Sequence, residues 1–198
     1  LSSWDTKNVT DMSKMFDHAD DLVELKIDNF NTSKVTNMRQ MFAYAPNLTN
    51  LNVTSFNTSN VTDMSLMFAG MEKLSSLDLS HFDTSNVTNM STMFYGSKSI
   101  VNLDLSSFNT SSVTDMTRMF HMMENLKSLN LSSFDTSHVT DMSYMFAGDK
   151  SLPSLDVTSF NTGNVTNMSN MFASMGKLSS LDLSHFDTSN VKKMNSMF

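Results

Sequence analysis

The chain contains no cysteine, which removes disulfide staples, thiolate metal sites and a cysteine nucleophile. Basic charge is scarce: 13 Lys and Arg face 20 Asp and Glu, a formal net charge of −7. That balance lacks the basic footprint a nucleic-acid binder needs. No apolar run approaches the length of a membrane span, and the first residues do not read as a signal peptide. Glycine and proline are also few, 5 and 2 in 198 residues, whereas methionine and phenylalanine are abundant at 20 and 15. Such a skew points to a small set of residues used repeatedly.

Written from Trp4 with a period of 26, the chain falls into register, with lines starting at Trp4, Phe30, Phe56, Phe82, Phe108, Phe134, Phe160 and Phe186. All 15 Phe occupy two columns, the line start and the end of a Met-x-x-Met-Phe group, and 16 of the 20 Met occupy two more. The segment KLSSLDLSHFDTSNV occurs at 73–87 and again at 177–191, four periods later. Residues 1–198 are therefore one tandem array of seven units, starting at 4, 30, 56, 82, 108, 134 and 160, with a partial unit from 186. A lone unit would leave both stacking faces wet, so it gains a core only by stacking on its neighbours.

Two halves of the unit carry different periodicities. In Leu74-Ser-Ser-Leu77-Asp-Leu79 the apolar residues at 77 and 79 alternate with polar ones, as in a strand. In Val61-Thr-Asp-Met64-Ser-Leu-Met67-Phe68 the spacing i, i+3, i+6, i+7 predicts one face of a short helix. Thr62 or Ser59 is then the expected cap, and Gly70, Gly96 and Gly148 are expected just past the C-terminus. The Phe-Asn/Asp-Thr-Ser-Asn link between the halves is turn chemistry. The expected fold is an α/β repeat solenoid, a right-handed leucine-rich-repeat array. Its parallel β-sheet would lie on the concave face, with short helices or 3-10 turns on the other side. A triangular β-helix is the main alternative, and the three-residue spacing of the Met segment weighs against it.

The line FDTSNVTDMSxMFxG followed by LxxLDLS resembles the leucine-rich repeats of BspA-type bacterial surface proteins, over essentially the whole chain. Departures are Trp4 in place of Phe, Lys192-Lys193 in place of Thr-Asp/Asn, and an acidic first unit. The resemblance implies an extracellular, cell-wall-associated bacterial protein with a role in adhesion or host contact.

Two candidate binding surfaces follow from the columns. On the strand, the outward ladder Lys26, Asn52, Asp78, Asp104, Asn130, Asp156, Asp182 places two pairs of aspartates, Asp78/Asp104 and Asp156/Asp182, on adjacent rungs about 4.8 Å apart. Like charges so close should raise the pKa of one partner in each pair, and the pairs could meet a basic partner or a loosely held Ca²⁺. The bland reading is a solvated acidic face. The turn column Asn57, Asp83, Asn109, Asp135, Asn161, Asp187 instead alternates, keeping carboxylates two rungs apart. The second surface is the edge after the Met segment, where Tyr44, Tyr95, His121 and Tyr144 break the monotony. Met71, Met123 and Met175 share a column there, either core filling or a partly exposed apolar patch.

Catalysis finds no support. The five His are scattered without spaced partners, no nucleophile elbow accompanies the many Ser, and there is no glycine-rich phosphate loop. No cofactor or metal is implied. The Thr columns at 58/84/110 and 62/88/114 are expected to cap turns and helices rather than to bind ice. The recurring Asn-x-Ser/Thr triplets follow from the repeat. The reading that results is a surface binding module with a protein partner preferred to a glycan, no nucleic acid and no membrane insertion. A structural spacer projecting another adhesive domain is the alternative. The absence of clear capping units at either end suggests a piece of a longer protein.

Overall fold

The computed structural model describes residue 1 and residues 3–198. Its organising feature is a parallel ladder of single bridges, Asp11–Asn37–Asp63–Asn89–Asp115–Asp141–Asn167–Lys193, each step 26 residues long. The chain is thus a tandem-repeat protein whose coils stack in register. Four short strands, β1 (Glu24–Leu25), β2 (Asn50–Leu51), β3 (Asn102–Asp104) and β4 (Ser128–Asn130), add two parallel pairs, β1 with β2 and β3 with β4. These fall where the Leu-x-x-Leu-Asp-Leu alternation predicts a strand.

The Met segment is not a helix, and no helix or 3-10 turn occurs among the described residues. Its amides alternate between two partners. Those of Met64, Leu66 and Phe68 donate to Asn89, Ser91 and Met93 of the next coil at 2.9–3.0 Å. Those of Met67 and Ala69 donate backwards to Met64 and Leu66. The three-residue spacing that suggests a helix, and weighs against a β-helix, is therefore the span of successive tight turns. A helix would commit every amide to its own coil. Here the neighbouring coil offers acceptors at every second residue, and that tertiary pairing overrides the local propensity.

Two left-handed residues per coil make this alternation possible. One column comprises Lys14, Gln40, Leu66, Thr92, Arg118, Tyr144, Asn170 and Ser196, at φ between 52° and 62°. The other comprises His18, Tyr44, Gly70, Gly96, Met122, Gly148 and Ser174, with φ 80° at Gly148. The glycines have the left-handed backbone expected of a cap, but they end a turn rather than a helix.

The threonine columns do not cap helices either. Thr58, Thr84 and Thr110 are buried, and each hydroxyl donates to the carbonyl of the residue 25 positions ahead at 2.8–2.9 Å. The Thr84 and Thr110 hydroxyls also accept the amide of that same residue, Asn109 or Asp135, at 2.9 Å. The hydroxyl thereby substitutes for a peptide group, satisfying a part-buried donor and acceptor together. The exposed Thr62, Thr88 and Thr114 hydroxyls each reach the carbonyl of the Thr one coil back at 3.2 Å.

The core is built from the columns that dominate the composition. Met64, Met67, Met90, Met93, Met116 and Met119 are fully buried. Beside them the rings of Phe16, Phe42, Phe68, Phe94, Phe120, Phe146, Phe172 and Phe198 form one continuous stack, with centroids 5.5–5.9 Å apart. Met71 and Met123 are also fully buried and Met175 is half-buried, so that column fills the core and is not an exposed patch.

Candidate functional site

The strand face keeps the expected register, with Glu24 opposite Asn50, Asn102 opposite Ser128 and Asp104 opposite Asn130. The coils carrying Asp78, Asp156 and Asp182 hold no strand, so the ladder is interrupted. Asp78 and Asp104 line one shallow cleft together with Ser80 and Ser106.

Their titration differs from the expectation. None of the four aspartates is raised; Asp78, Asp104, Asp156 and Asp182 all lie below the usual carboxylate value. The amide and then the hydroxyl of Ser80 hold Asp78 down, and Ser106 and Ser184 do the same for Asp104 and Asp182. For Asp156 the Thr158 hydroxyl leads, followed by its amide. Each carboxylate accepts the N–H of the residue two ahead at 2.9–3.0 Å, the Asx-turn geometry. Asn130 takes the Ser132 amide in the same way at 3.2 Å. Hydrogen bonds to the charged form outweigh the slight burial that opposes them, and no neighbouring aspartate raises any of the four.

The same device recurs at two other corners of the coil. In the turn column Asn57 and Asp83 accept the amides of Ser59 and Ser85, and in the bridge column Asp63 and Asn89 accept those of Ser65 and Ser91. The acidic ladders are the corner-forming residues of the stack.

The opposite edge is more individual. His18 packs on Tyr44 at 4.8 Å, His121 lies between Tyr95 (5.4 Å) and Tyr144 (5.6 Å), and the Arg118 guanidinium sits over the Tyr144 ring at 4.8 Å. All four residues singled out at this edge thus lie on one strip, but Tyr44 stands apart from the Tyr95–His121–Tyr144 cluster. The His121 Nδ1 bonds the Ala147 carbonyl at 2.7 Å, and burial depresses its pKa against the opposing effect of that bond.

The gap between Tyr44 and Met122 has a specific origin. At the second left-handed position a side chain leans over the next coil. Tyr44 covers Gly70, where an added Cβ would meet its Cδ1 at 2.6 Å, and Met122 covers Gly148, where the Cβ would meet its Cγ at 3.3 Å. Gly70 has no side chain to cover Gly96, and a Cβ at Gly96 would meet nothing within 4 Å. The result is a groove of about 410 Å³ bounded by Tyr44, Tyr95 and Met122, with Pro46, Asp20, Glu72 and Lys98 around it. Lys98 Nζ is paired with Glu72 Oε1 at 3.2 Å. Met122 is 40 % exposed, one of few large apolar side chains so exposed away from the first and last coils.

Sequence reasoning located the tyrosines but not the groove. The available signal was the Gly70–Gly96 doublet, two successive coils with glycine in one column.

Among the described residues no three His, Cys, Asp or Glu side chains converge as a metal site, and no helix is long and apolar enough to cross a membrane. His81 and His185 bond the carbonyls of Val53 and Val157 one coil back.

Fold and site together define a stacked tandem-repeat protein with a groove on one edge. One family model, described as "Mycoplasma protein of unknown function, DUF285", matches residues 1–75, 22–129 and 115–198. The chain belongs to that family. No curated protein matches it.

Proposed function

We propose that this chain is a non-catalytic binding module of the leucine-rich-repeat type, displayed on the outside of a bacterial cell and engaging a protein of the host or its matrix. The observation that carries this reading is the groove between Tyr44 and Met122. An array so regular elsewhere departs from its repeat there, in two half-buried tyrosines and the exposed Met122, and tyrosine and methionine are both favoured at protein contacts. The strand ladder of Asp78, Asp104, Asn130, Asp156 and Asp182 is the less favoured surface, because Asx turns already account for its carboxylates. The BspA-type resemblance supports the cell-surface placement. The spacer alternative draws on the unbroken bridge ladder, which would suit a rigid rod.

The test is to display the whole chain on beads and measure retention on host cells and purified matrix proteins. Tyr95→Ala/Tyr44→Ala and Asp78→Asn/Asp104→Asn versions run beside it. Retention lost in the tyrosine pair and kept in the aspartate pair is the expected result. No retention by the intact chain sinks the adhesive reading and leaves the spacer.

A further inference from the structure

We propose that the groove beside Gly70 and Gly96 receives an arginine side chain from a basic protein partner, its guanidinium stacked on Tyr95 and paired with Glu72, while Asp20 adds negative charge to the rim. The proposal rests on the binding-module reading and names the group that module would hold.

The first argument is that this strip already binds a guanidinium. Arg118 lies over Tyr144 at 4.8 Å, whereas Tyr95, on the other side of His121, carries no cation of its own. An aromatic face attracts a guanidinium through its quadrupole, more strongly as water is excluded. The groove partly shelters such a contact, with two tyrosines and Met122 as walls and glycine backbone beneath. A thioether wall is polarisable and adapts its shape to the stem of a long side chain.

The second argument is charge. The rim carries two carboxylates, Asp20 and Glu72, and one ammonium, Lys98. Lys98 is held by Glu72 at 3.2 Å in an exposed pair, which an incoming guanidinium can exchange at little cost. Behind Tyr44 stands Asp17, bonded to His18 at 2.9 Å. Burial, then the neighbouring Tyr95 and Asp17, push the Tyr44 phenol upward, so this wall stays neutral. The whole chain carries a net charge of −7, which favours encounter with basic proteins. A planar fork can take both oxygens of the Glu72 carboxylate while its face lies on a tyrosine ring, which a point charge cannot do.

The test uses the whole chain with isotope-labelled methionine methyl groups. It is titrated separately with short peptides carrying arginine, lysine or the neutral isostere citrulline, and with a disaccharide. The arginine peptide is expected to shift the Met122 methyl and leave the core methyls of Met64 and Met116 in place. Tyr95→Ala should abolish the shift, and Asp20→Asn/Glu72→Gln should weaken the affinity at least several-fold. Gly96→Asn, which keeps a residue tolerant of the left-handed backbone, should block the groove by filling it. Equal response to citrulline, lysine or the disaccharide overturns the proposal, as does silence at Met122 with millimolar arginine peptide. If the Gly96→Asn chain is still retained on host protein as well as the parent is, the arginine groove falls while the adhesive reading stands.

Discussion

Asp149 accepts the amide hydrogen of Met123 at 2.9 Å, just as Ser97, two coils earlier in the same column, accepts that of Met71 at 3.2 Å. The Ser97 hydroxyl has a proton left to donate to the Phe68 carbonyl. Asp149 is completely buried, its second oxygen has no partner, and burial drives its pKa well above the ordinary carboxylate value, with the Met123 bond opposing. Burial of a carboxyl with one oxygen unpartnered disfavours its charged form.

The pH dependence follows with a definite sign. A carboxyl whose folded-state pKa is raised favours the folded state fully below its unfolded value of about 3.9, and that contribution is lost as pH rises through the folded value. Asp149→Asn should therefore raise the urea midpoint at neutral pH, by the equivalent of about 1–3 kcal/mol for a relieved buried group. The gain should vanish toward pH 4. Urea titrations of both proteins from pH 4 to 8 check this; an unchanged difference across that range would count against a buried neutral Asp149.

The exposed corner aspartates act in the opposite sense. Asp78, Asp83, Asp104 and Asp187 are lowered by bonds from serine two residues ahead, so what they contribute is present above about pH 4 and lost as pH falls through their folded values. Replacing Asp78 and Asp104 with Asn, which keeps the Asx acceptor, should leave the fold intact and flatten the acid limb of a thermal-melt profile. A large loss of stability at pH 7 would contradict that account.

The buried threonine column gives a sharper test of stacking. Thr84→Val keeps the shape and orphans both the amide and the carbonyl of Asn109. Both bonds are only part-buried, so at about 1 kcal/mol for each bond lost the urea midpoint should still fall measurably. Thr84→Ser should recover most of it. Hydrogen exchange at the Asn109 amide should rise in the valine variant first.

Left-handed backbone offers a stabilising change. Thr92 is β-branched at φ 62°, with its amide bonded to Thr117 at 2.8 Å. Thr92→Gly removes a steric penalty of about 1–2 kcal/mol and adds back some chain entropy. A modest rise in melting temperature is expected, and a fall would mean that the methyl packing outweighs the strain.

Much of this fold is legible in the columns. Period, core and strand register can all be read from the sequence, because Phe68, Met64 and Leu103 recur at fixed intervals on buried faces. The Met segment differs from its expected helix for a physical reason: helices and chains of tight turns both place apolar residues three apart. What separates them is the left-handed backbone at Leu66, Thr92 and Arg118, residues with no preference for it. That conformation is imposed by carbonyls one coil away. The acidic pairs mislead similarly, since the residues that bond them, Ser80 and Ser106, lie two positions ahead and carry no charge to mark the role. The groove at Gly96 arises because side chains in its column lean over the next coil, a geometry that no spacing in the sequence encodes.

The identity of segments 73–87 and 177–191 acquires a meaning from the stacking. Coils that bond to their neighbours through the same atoms are interchangeable, so recombination between such segments could lengthen or shorten the array by whole coils without breaking its register. The edge groove does not share that freedom. It exists only where a tyrosine coil, two glycine coils and a methionine coil follow in that order, so losing one of the four coils would erase it while leaving a well-folded rod.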